Sequence, residues 1–412
     1  MWISDIALDD YRSYSHSVMQ LHQGVNVLMG SNGQGKTNFV EAIHYLSTFR
    51  SHRVNADQAL VRMSAEETKE PRGAVVRVKL HTQGRERLID VEIVSGKANR
   101  ARLNRNQVNP REIRGIIHSV LFAPEDVSII RTDPATRRHF IDELATQSSL
   151  HYATWLSDYM KIAHQRSAFL RNLKYSGGYR SPEASTMLQV WNDQLVQVGS
   201  RIIAERACLL RQLEPLAAEA HHTVCQAERE LTISYQPHLP GVPKGETPDW
   251  EVIDQVDKAF YNSLATVYER ELERGINLVG PHRDDVHICL DNVAVKGFAS
   301  HGETWSVALA LRLAEFELLS HLLEERPILI LDDVFAELDT SRRDALTHVI
   351  EQAEQVLITA AVEADVPETL DAHYYDVRMA RNDAGERISC ISARDKAFES
   401  TANVKDSGDG HG

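Results

Sequence analysis

Hydrophobic positions fall into two periods along this chain. Residues 2–8 and 25–29 (Val25-Asn26-Val27-Leu28-Met29) are apolar runs that predict short strands. A glycine-rich turn follows, then a segment with Phe39, Val40, Ile43 and Leu46 on one helical face. Segments 74–81 and 88–94 alternate. Val76, Val78 and Leu80 oppose Arg77, Lys79 and His81, and Ile89, Val91 and Ile93 oppose Asp90 and Glu92. A period of two predicts half-buried antiparallel strands.

The period changes at Asp133-Pro134, where Asp suits an N-cap and Pro the first helical position. From about 135 to 230 there is almost no strand signal. Trp155, Tyr159, Ile162, Phe169 and Leu173 follow a four-three spacing, as do Leu188, Trp191, Leu195, Val198, Ile202 and Leu209. The segment Ser176-Gly177-Gly178-Tyr179-Arg180-Ser181-Pro182 between them predicts a turn, and so an antiparallel helical hairpin about 40 Å long. Arg166 and Glu205 interrupt the two apolar series at heights differing by roughly 18 Å, so they are not expected to pair. A Pro/Gly-rich loop spans 237–248, and a helix over about 250–273 stops at Gly275. Strands near 286–295, 328–331 and 355–359, and helices over 303–323 and 341–352, complete an α/β pattern split by a helical insertion.

Composition narrows the classes. The 412 residues carry Lys+Arg 45 against Asp+Glu 59, a net charge of −14, so any nucleic-acid contact has to come from a local basic face. No apolar stretch approaches the ~20 residues of a membrane span. Cys208, Cys225, Cys289 and Cys390 have no paired or zinc-like spacing, and Met1-Trp2-Ile3-Ser4-Asp5, without a basic or long apolar region, is not expected to be a secretory signal. A cytoplasmic protein is expected.

Gly30-Ser31-Asn32-Gly33-Gln34-Gly35-Lys36-Thr37 fills every fixed position of G-x-x-x-x-G-K-[ST], with a strand before it and a helix after. Glycines let successive amides turn toward a phosphate, and the helix N-terminus adds partial positive charge. Lys36 is placed to reach the β- and γ-phosphates of a nucleotide, and the Thr37 hydroxyl suits Mg²⁺. Leu329-Ile330-Leu331-Asp332-Asp333 is an apolar strand ending in two carboxylates. Asp332 would complete the Mg²⁺ shell and Asp333 would polarise the attacking water. Ser300-His301-Gly302-Glu303 opens a helix, as any N-cap would. Glu337-Leu338-Asp339 could cap the following helix or enter a subunit contact.

Taken together these segments resemble the RecF family of ABC-type ATPases of DNA maintenance. The resemblance rests further on Tyr11-Arg12-Ser13-Tyr14, Phe49-Arg50-Ser51-His52-Arg53, Phe122-Ala123-Pro124-Glu125-Asp126 with Arg137-Arg138, and Gly280-Pro281-His282-Arg283-Asp284-Asp285. It implies an α/β fold, an ABC-type P-loop ATPase head with mixed sheets, split by a helical hairpin arm. The head would comprise 1–134 and 276–397, the arm 135–275, with a disordered tail over 398–412. It also implies that Ser300, Gly302 and Glu303 form the signature that closes over ATP held by a second copy, giving an ATP-dependent homodimer. Glu125 or Asp126 would stand at the Q-loop. The implied partners are gapped or junction DNA, RecR and, indirectly, RecO and RecA, and the implied activity is a weak DNA-stimulated ATPase that promotes RecA loading. The sequence departs from the wider pattern at Thr304-Trp305-Ser306 beside the signature, at Asp333 where many ABC ATPases carry Glu, and at Thr359 where they carry His.

The run Lys97, Arg100, Arg102, Arg105, Arg111 and Arg114, set against Glu112, is the first candidate for a DNA face, with Arg137 and Arg138 next. A solvated hairpin loop explains that run as well. His221-His222 with Cys225 lacks a fourth metal ligand. The motifs also leave room for an energy-coupling transporter subunit, disfavoured by the helical insertion before the signature. A non-hydrolysing nucleotide scaffold is disfavoured by the paired aspartates.

Overall fold

The structure, a computed structural model, describes residues 1–54, 56–63, 73–176, 181–225, 229–242 and 247–394. The centre of the expected 176–182 turn, part of the 237–248 loop and the expected tail at 398–412 lie outside the described residues. The chain opens with β1 (Trp2–Tyr11), β2 (Tyr14–Gln20), β3 (Gly24–Met29) and helix α1 (Lys36–Thr48). Strands β4 (Gly73–Thr82), β5 (Arg85–Val94), β6 (Arg100–Leu103) and β7 (Asn106–Val108) precede α2 (Pro110–Ile113) and β8 (Ser119–Phe122). Helices α3 (Val127–Arg131), α4 (Pro134–Ser148), α5 (Tyr152–Ser176) and α6 (Pro182–Cys225) follow. The remainder is β9 (Leu231–Gln236), α7 (Ile253–Arg274), β10 (Asp285–Leu290), β11 (Val293–Ala294), α8 (His301–Leu323), β12 (Ile328–Asp332), α9 (Thr340–Gln352), β13 (Gln355–Ala360), β14 (Ala372–Arg381) and β15 (Arg387–Ala393).

The central sheet has the order β15-β14-β3-β13-β12-β8 and is parallel except at the edge strand β15. Both of its faces are covered. Val27, Met29, Leu329, Leu331, Val356 and Ile358 pack with residues of α4, α6 and α8, while Leu28, Ile328, Ile330 and Leu357 pack with α1 and a second sheet. Burial on both sides is why β12 reads as an unbroken apolar run. Each fully buried side chain of this kind contributes about 1.5–3 kcal/mol. The second sheet, β2-β1-β4-β5-β6-β7, is antiparallel and contains the two alternating segments paired from Gly73↔Val94 to Thr82↔Arg85.

Helix α4 starts with Asp133 at the N-cap and Pro134 at its first position. Leu170 and Leu173 near the end of α5 cluster with Ala184 and Leu188 near the start of α6, so the two helices run antiparallel. Arg166 is 1% exposed and pairs with Glu271 of α7, Nη2 to Oε2 at 2.6 Å, with Asn192 and Asn277 accepting its other N–H groups. Helix α6 continues past the hairpin, and its Leu209, Leu210 and Leu213 join the same core as α8 and the central sheet. The segment 135–275 is not wholly helical. Its β9 pairs antiparallel with β10, Leu231↔Leu290 to Gln236↔Asp285, so a small sheet β11-β10-β9 crosses the boundary expected at 275/276. Among the described residues, no helix is long and apolar enough to cross a membrane.

Candidate functional site

Parallel pairing brings the chemistry to one edge. Asp332 is the last residue of β12 and lies beside Thr359 of β13, which lies beside Leu28 of β3, the strand that runs into the Gly30–Thr37 loop. Carboxyl ends of parallel strands are where such sheets meet ligands. The glycines are required by local geometry. A Cβ on Gly35, at φ 110°, would sit 2.2 Å from Ser389 Oγ, and one on Gly30 would sit 2.2 Å from the Val377 carbonyl oxygen.

The first strands brace this loop. Tyr14 Oη donates to the Gly35 carbonyl at 3.1 Å, Asn38 Nδ2 donates to Ser13 Oγ at 2.8 Å, and Arg12 grips Glu41 of α1 through two bonds of 2.8 and 2.7 Å. Ser389 Oγ of β15 donates to the Gln34 carbonyl at 2.6 Å, and Met379 N donates to Gln34 Oε1 at 2.5 Å. The Gln34 side chain therefore serves the loop's shape, leaving only its backbone to face a phosphate.

Lys36 Nζ donates to the carbonyls of Gly30 at 2.6 Å and Ser31 at 3.3 Å. Burial lowers its pKa, partly countered by Asp333 and Asp332. The Thr37 hydroxyl donates to Asp332 Oδ1 at 3.0 Å, and the Thr359 hydroxyl donates to the same oxygen at 2.6 Å. Burial raises the Asp332 pKa, opposed by those hydroxyls and reinforced by the charges of Glu125 and Asp333. Among the described residues no group of three or more His, Cys, Asp or Glu could hold a metal. The Thr37 hydroxyl and Asp332 carboxylate nonetheless fit Mg²⁺, which takes few protein oxygens and completes its shell from phosphate and water. Asp333 adopts φ 56°, the left-handed region, and its amide donates to Thr359 Oγ1 at 3.0 Å. That strained backbone is held by neighbours and turns Asp333 into the cleft. The cleft, about 250 Å³, is lined by Asn32, Gly33, Gly35, Lys36, Thr37, Asn38, Arg53 and Asp333.

No residue of 300–303 lines that cleft. Ser300 caps α8 with a reciprocal box. Glu303 N donates to Ser300 Oγ at 3.3 Å and Ser300 N to Glu303 Oε2 at 2.8 Å. Glu303 also binds Arg229, and the Ser300 amide and hydroxyl keep its carboxyl below the usual range. Its carboxylate is therefore engaged inside its own chain, at the residue expected to face nucleotide. Ser300 and His301 are exposed. Arg342 of α9 holds the Gly302 carbonyl at 3.1 Å and Ser306 Oγ at 2.9 Å. Thr304, Trp305 and Ser306 are buried, with the Trp305 ring edge-on to Phe122 at 5.9 Å. The Asp339 carboxylate caps α9 through Arg342 N at 3.0 Å.

Of the two Q-loop candidates, Asp126 is occupied by the Ala123 amide at 2.9 Å and Arg312 at 2.7 Å, while Glu125 acts on Asp332. Arg137, expected at a DNA face, is committed within the chain. It is 6% exposed, grips Asp285 through bonds of 2.7 and 3.0 Å, and donates to the Thr132 carbonyl at 3.1 Å. Arg138, half-buried, donates to the Asp284 carbonyl at 2.7 Å. A guanidinium so committed has little left for phosphate. Arg100, Arg102 and Arg105 are exposed, with Glu92 3.6 Å from Arg100. Asp284 is buried and takes His238 N at 2.7 Å and Arg206 at 3.3 Å, while Tyr159 donates to His282 at 2.6 Å, so that motif is structural. Arg53, Ser13 and Ser389 were not singled out by sequence. Their only signal was membership of the motifs around Tyr11–Tyr14 and Phe49–Arg53, and Ser389 had none.

A P-loop on a parallel sheet, a strand-end aspartate bonded to its threonine and a separate Ser/Gly helix N-terminus define an ABC-type ATPase head. Residues 2–385 match the RecF/RecN/SMC N-terminal domain family, and the chain belongs to it. It is 44% identical over 395 residues to the DNA replication and repair protein RecF of Beutenbergia cavernae, covering 92% of this chain and 98% of that protein. The corresponding RecF of Streptomyces avermitilis is 43% identical over 380 residues, with the same shares of 92% and 98%. The fold is similar to that of the recombination mediator RecF-ATP of the RecFOR pathway, with TM-score 0.81, 26% identity, and 96% and 98% of the two chains covered. The Smc head of Pyrococcus furiosus shares the fold at TM-score 0.52 and 15% identity, over 95% of this chain and 96% of that one.

Proposed function

We propose that this chain is an ATP-switched DNA clamp of recombinational repair and replication restart. ATP binds the Gly30–Thr37 loop of one copy, and the exposed N-terminus of α8, with Ser300 and Gly302, closes over its γ-phosphate from a second copy. The observation that carries this reading is the incompleteness of the cleft, which has phosphate donors, Thr37, Asp332 and Asp333 on its own chain but nothing from 300–303. Helix N-terminal amides aimed at a phosphate oppose its charge as the P-loop does. Asp333 accepts the proton of the attacking water, and Lys36 holds the terminal phosphates. Mg²⁺ at Thr37 and Asp332 would draw charge from the phosphate oxygens.

Arg100, Arg102 and Arg105 are the proposed DNA contacts, favoured because they are exposed and hold few acids. Gapped or junction DNA, slow DNA-stimulated hydrolysis, RecR contact and indirect work with RecO to load RecA follow from the RecF kinship, as does a cytoplasmic location. Light scattering with ATP and Mg²⁺ tests the reading. The mass doubles for the unaltered chain, stays single for Lys36→Ala, and stays doubled long after mixing for Asp333→Asn. A monomer that hydrolyses ATP at full rate refutes it.

A further inference from the structure

A second cleft lies away from the P-loop, where the residues after α1 meet α5. It encloses about 620 Å³ between the residues after α1, the α2 turn and one side of α5. Arg50, Arg111 and Arg114 come from the head and Lys161 and His164 from α5, and none of its lining residues is acidic. Lys161 has Asp158 at 3.5 Å on its own helix. The three arginines form no ion pair among the described residues. Arg114 is the most constrained. Its guanidinium stacks 5.4 Å from the Phe49 ring centroid, and its Nε is buried without a partner. The carboxylate that acts on it, Asp57, is taken by Tyr45 Oη at 2.9 Å and Asn99 at 2.8 Å. Burial, then the charges of Arg50 and Arg111, lower the pKa of Arg114, so the cluster is held against mutual repulsion.

The end of α1 does not account for it. A helix C-terminus carries about half a negative charge. Two of its last carbonyls are already met within the chain, Tyr45 by the Phe49 amide at 2.7 Å and His44 by Ser47 and Thr48 hydroxyls. Nor is this the face of Arg100 and Arg102, which line a separate hollow on the antiparallel sheet. The Asn109 capping box turns the chain at α2 and delivers Arg111 and Arg114 here instead. Leu156 and Met160 of α5 add apolar surface to the same lining. A volume in the usual small-ligand range, lined by basic groups with some apolar surface among them, matches a phosphorylated nucleotide.

We propose that this cleft is a second anion site, taking the terminal phosphate of a nucleotide, either at the end of a nucleic-acid strand or free in solution. It is independent of the P-loop reading, and its test separates the two. In full-length Lys36→Ala, isothermal titration compares a deoxynucleoside 5′-monophosphate, a short 5′-phosphorylated DNA strand and the same strand with a 5′-hydroxyl. One phosphate-dependent site per chain is expected, weakened at least about tenfold by adding Arg111→Gln and Arg114→Gln. Lys161→Gln, on the exposed side of α5, weakens it in the same direction. On the otherwise unaltered chain the Gln pair still binds ATP, which shows that it is folded. Preference for the phosphorylated strand over the mononucleotide identifies a strand end as the ligand, and the reverse order a free nucleotide. Absence of phosphate-dependent binding in Lys36→Ala, or equal binding with and without the Gln pair, overturns the proposal.

Discussion

Lys36→Ala and Ser300→Arg damage opposite halves of the proposed composite site. The first removes the ammonium that here bonds the Gly30 carbonyl at 2.6 Å and would turn to phosphate. Charge-assisted bonds of this kind contribute about 1.5–3 kcal/mol, so nucleotide affinity falls by tenfold or more. The second fills an exposed helix N-terminus with a long cation and removes one cap, whose bond to Glu303 N measures 3.3 Å. Losing a cap costs about 1 kcal/mol, small against a total stability of 5–15 kcal/mol, so the chain stays folded. Each variant alone is inactive in dimer-dependent hydrolysis. Mixed in equal amounts, neither variant pairs with itself and only mixed dimers form, each with one intact site of two, so up to about one half of the unaltered activity returns. Phosphate release at saturating ATP, with scattering on the same samples, reads both quantities. A mixture no more active than its components, or full activity in Ser300→Arg alone, refutes a pocket shared between copies.

Replacing Arg100, Arg102 and Arg105 together by Gln should flatten the dependence of log K for duplex DNA on log salt by about two to three units, about 0.9 per phosphate contact. Arg137→Gln should leave that slope alone and lower stability, since its bidentate pair with Asp285 is internal; an unchanged slope in the triple variant moves the DNA face elsewhere. Arg166→Met strands Glu271, which is 1% exposed and retains only the Leu278 amide at 2.7 Å, so chemical denaturation should show a loss of about 3–5 kcal/mol. Adding Glu271→Gln should restore much of it, and a loss under about 1 kcal/mol contradicts the account. Burial pushes His52, His118 and His282 each down to about 4. Between pH 4 and about 6.5 the unfolded chain then binds more protons than the folded one, so stability is full above about 6.5 and falls as pH drops toward 4. Thermal melts across that window should decline, less steeply in His118→Gln, and a flat profile counts against buried neutral histidines.

The legible parts of the sequence were those whose spacing is itself the chemistry. The P-loop needs its glycines, Lys36 and Thr37 at fixed intervals, and β12 needs an apolar run because both its faces are covered. The unreadable parts depend on long-range pairing. Thr359 meets Asp332 only because β13 lies beside β12, and Ser389 reaches the loop only from the edge strand. Arg166 looked like an interruption of a hydrophobic face, and its partner Glu271 is on another helix. Arg137 shows the converse, since a basic pair in sequence carries no sign that an aspartate on β10 is waiting for it. Strand β9 was missed because six residues after a long helix give little periodicity, and its partner β10 lies beyond another helix. A signature role for Ser300 rests on the family resemblance alone, because a signature serine and an ordinary N-cap are the same residue doing the same local work.

The two proposed halves of the nucleotide site are fixed to one another within each chain, and α8 is the link. Arg312, about 17 Å along that helix from its exposed N-terminus, bonds Asp126 at 2.7 Å and Glu315 at 2.6 Å, and its guanidinium lies 5.2 Å from the Phe140 ring centroid of α4. Asp126 in turn receives the Ala123 amide, and the neighbouring Glu125 acts on Asp332. One buried cation therefore touches the loop beside the Asp332 carboxylate, the helix proposed to face a second copy, and α4. Apolar packing could hold α8 in place at similar stability, but it tolerates sliding and rotation. A guanidinium with two directional carboxylate partners does not, because any shift leaves a buried charge unpaired. The exposed N-terminus of α8 is thereby tied to the geometry around this chain's own Asp332.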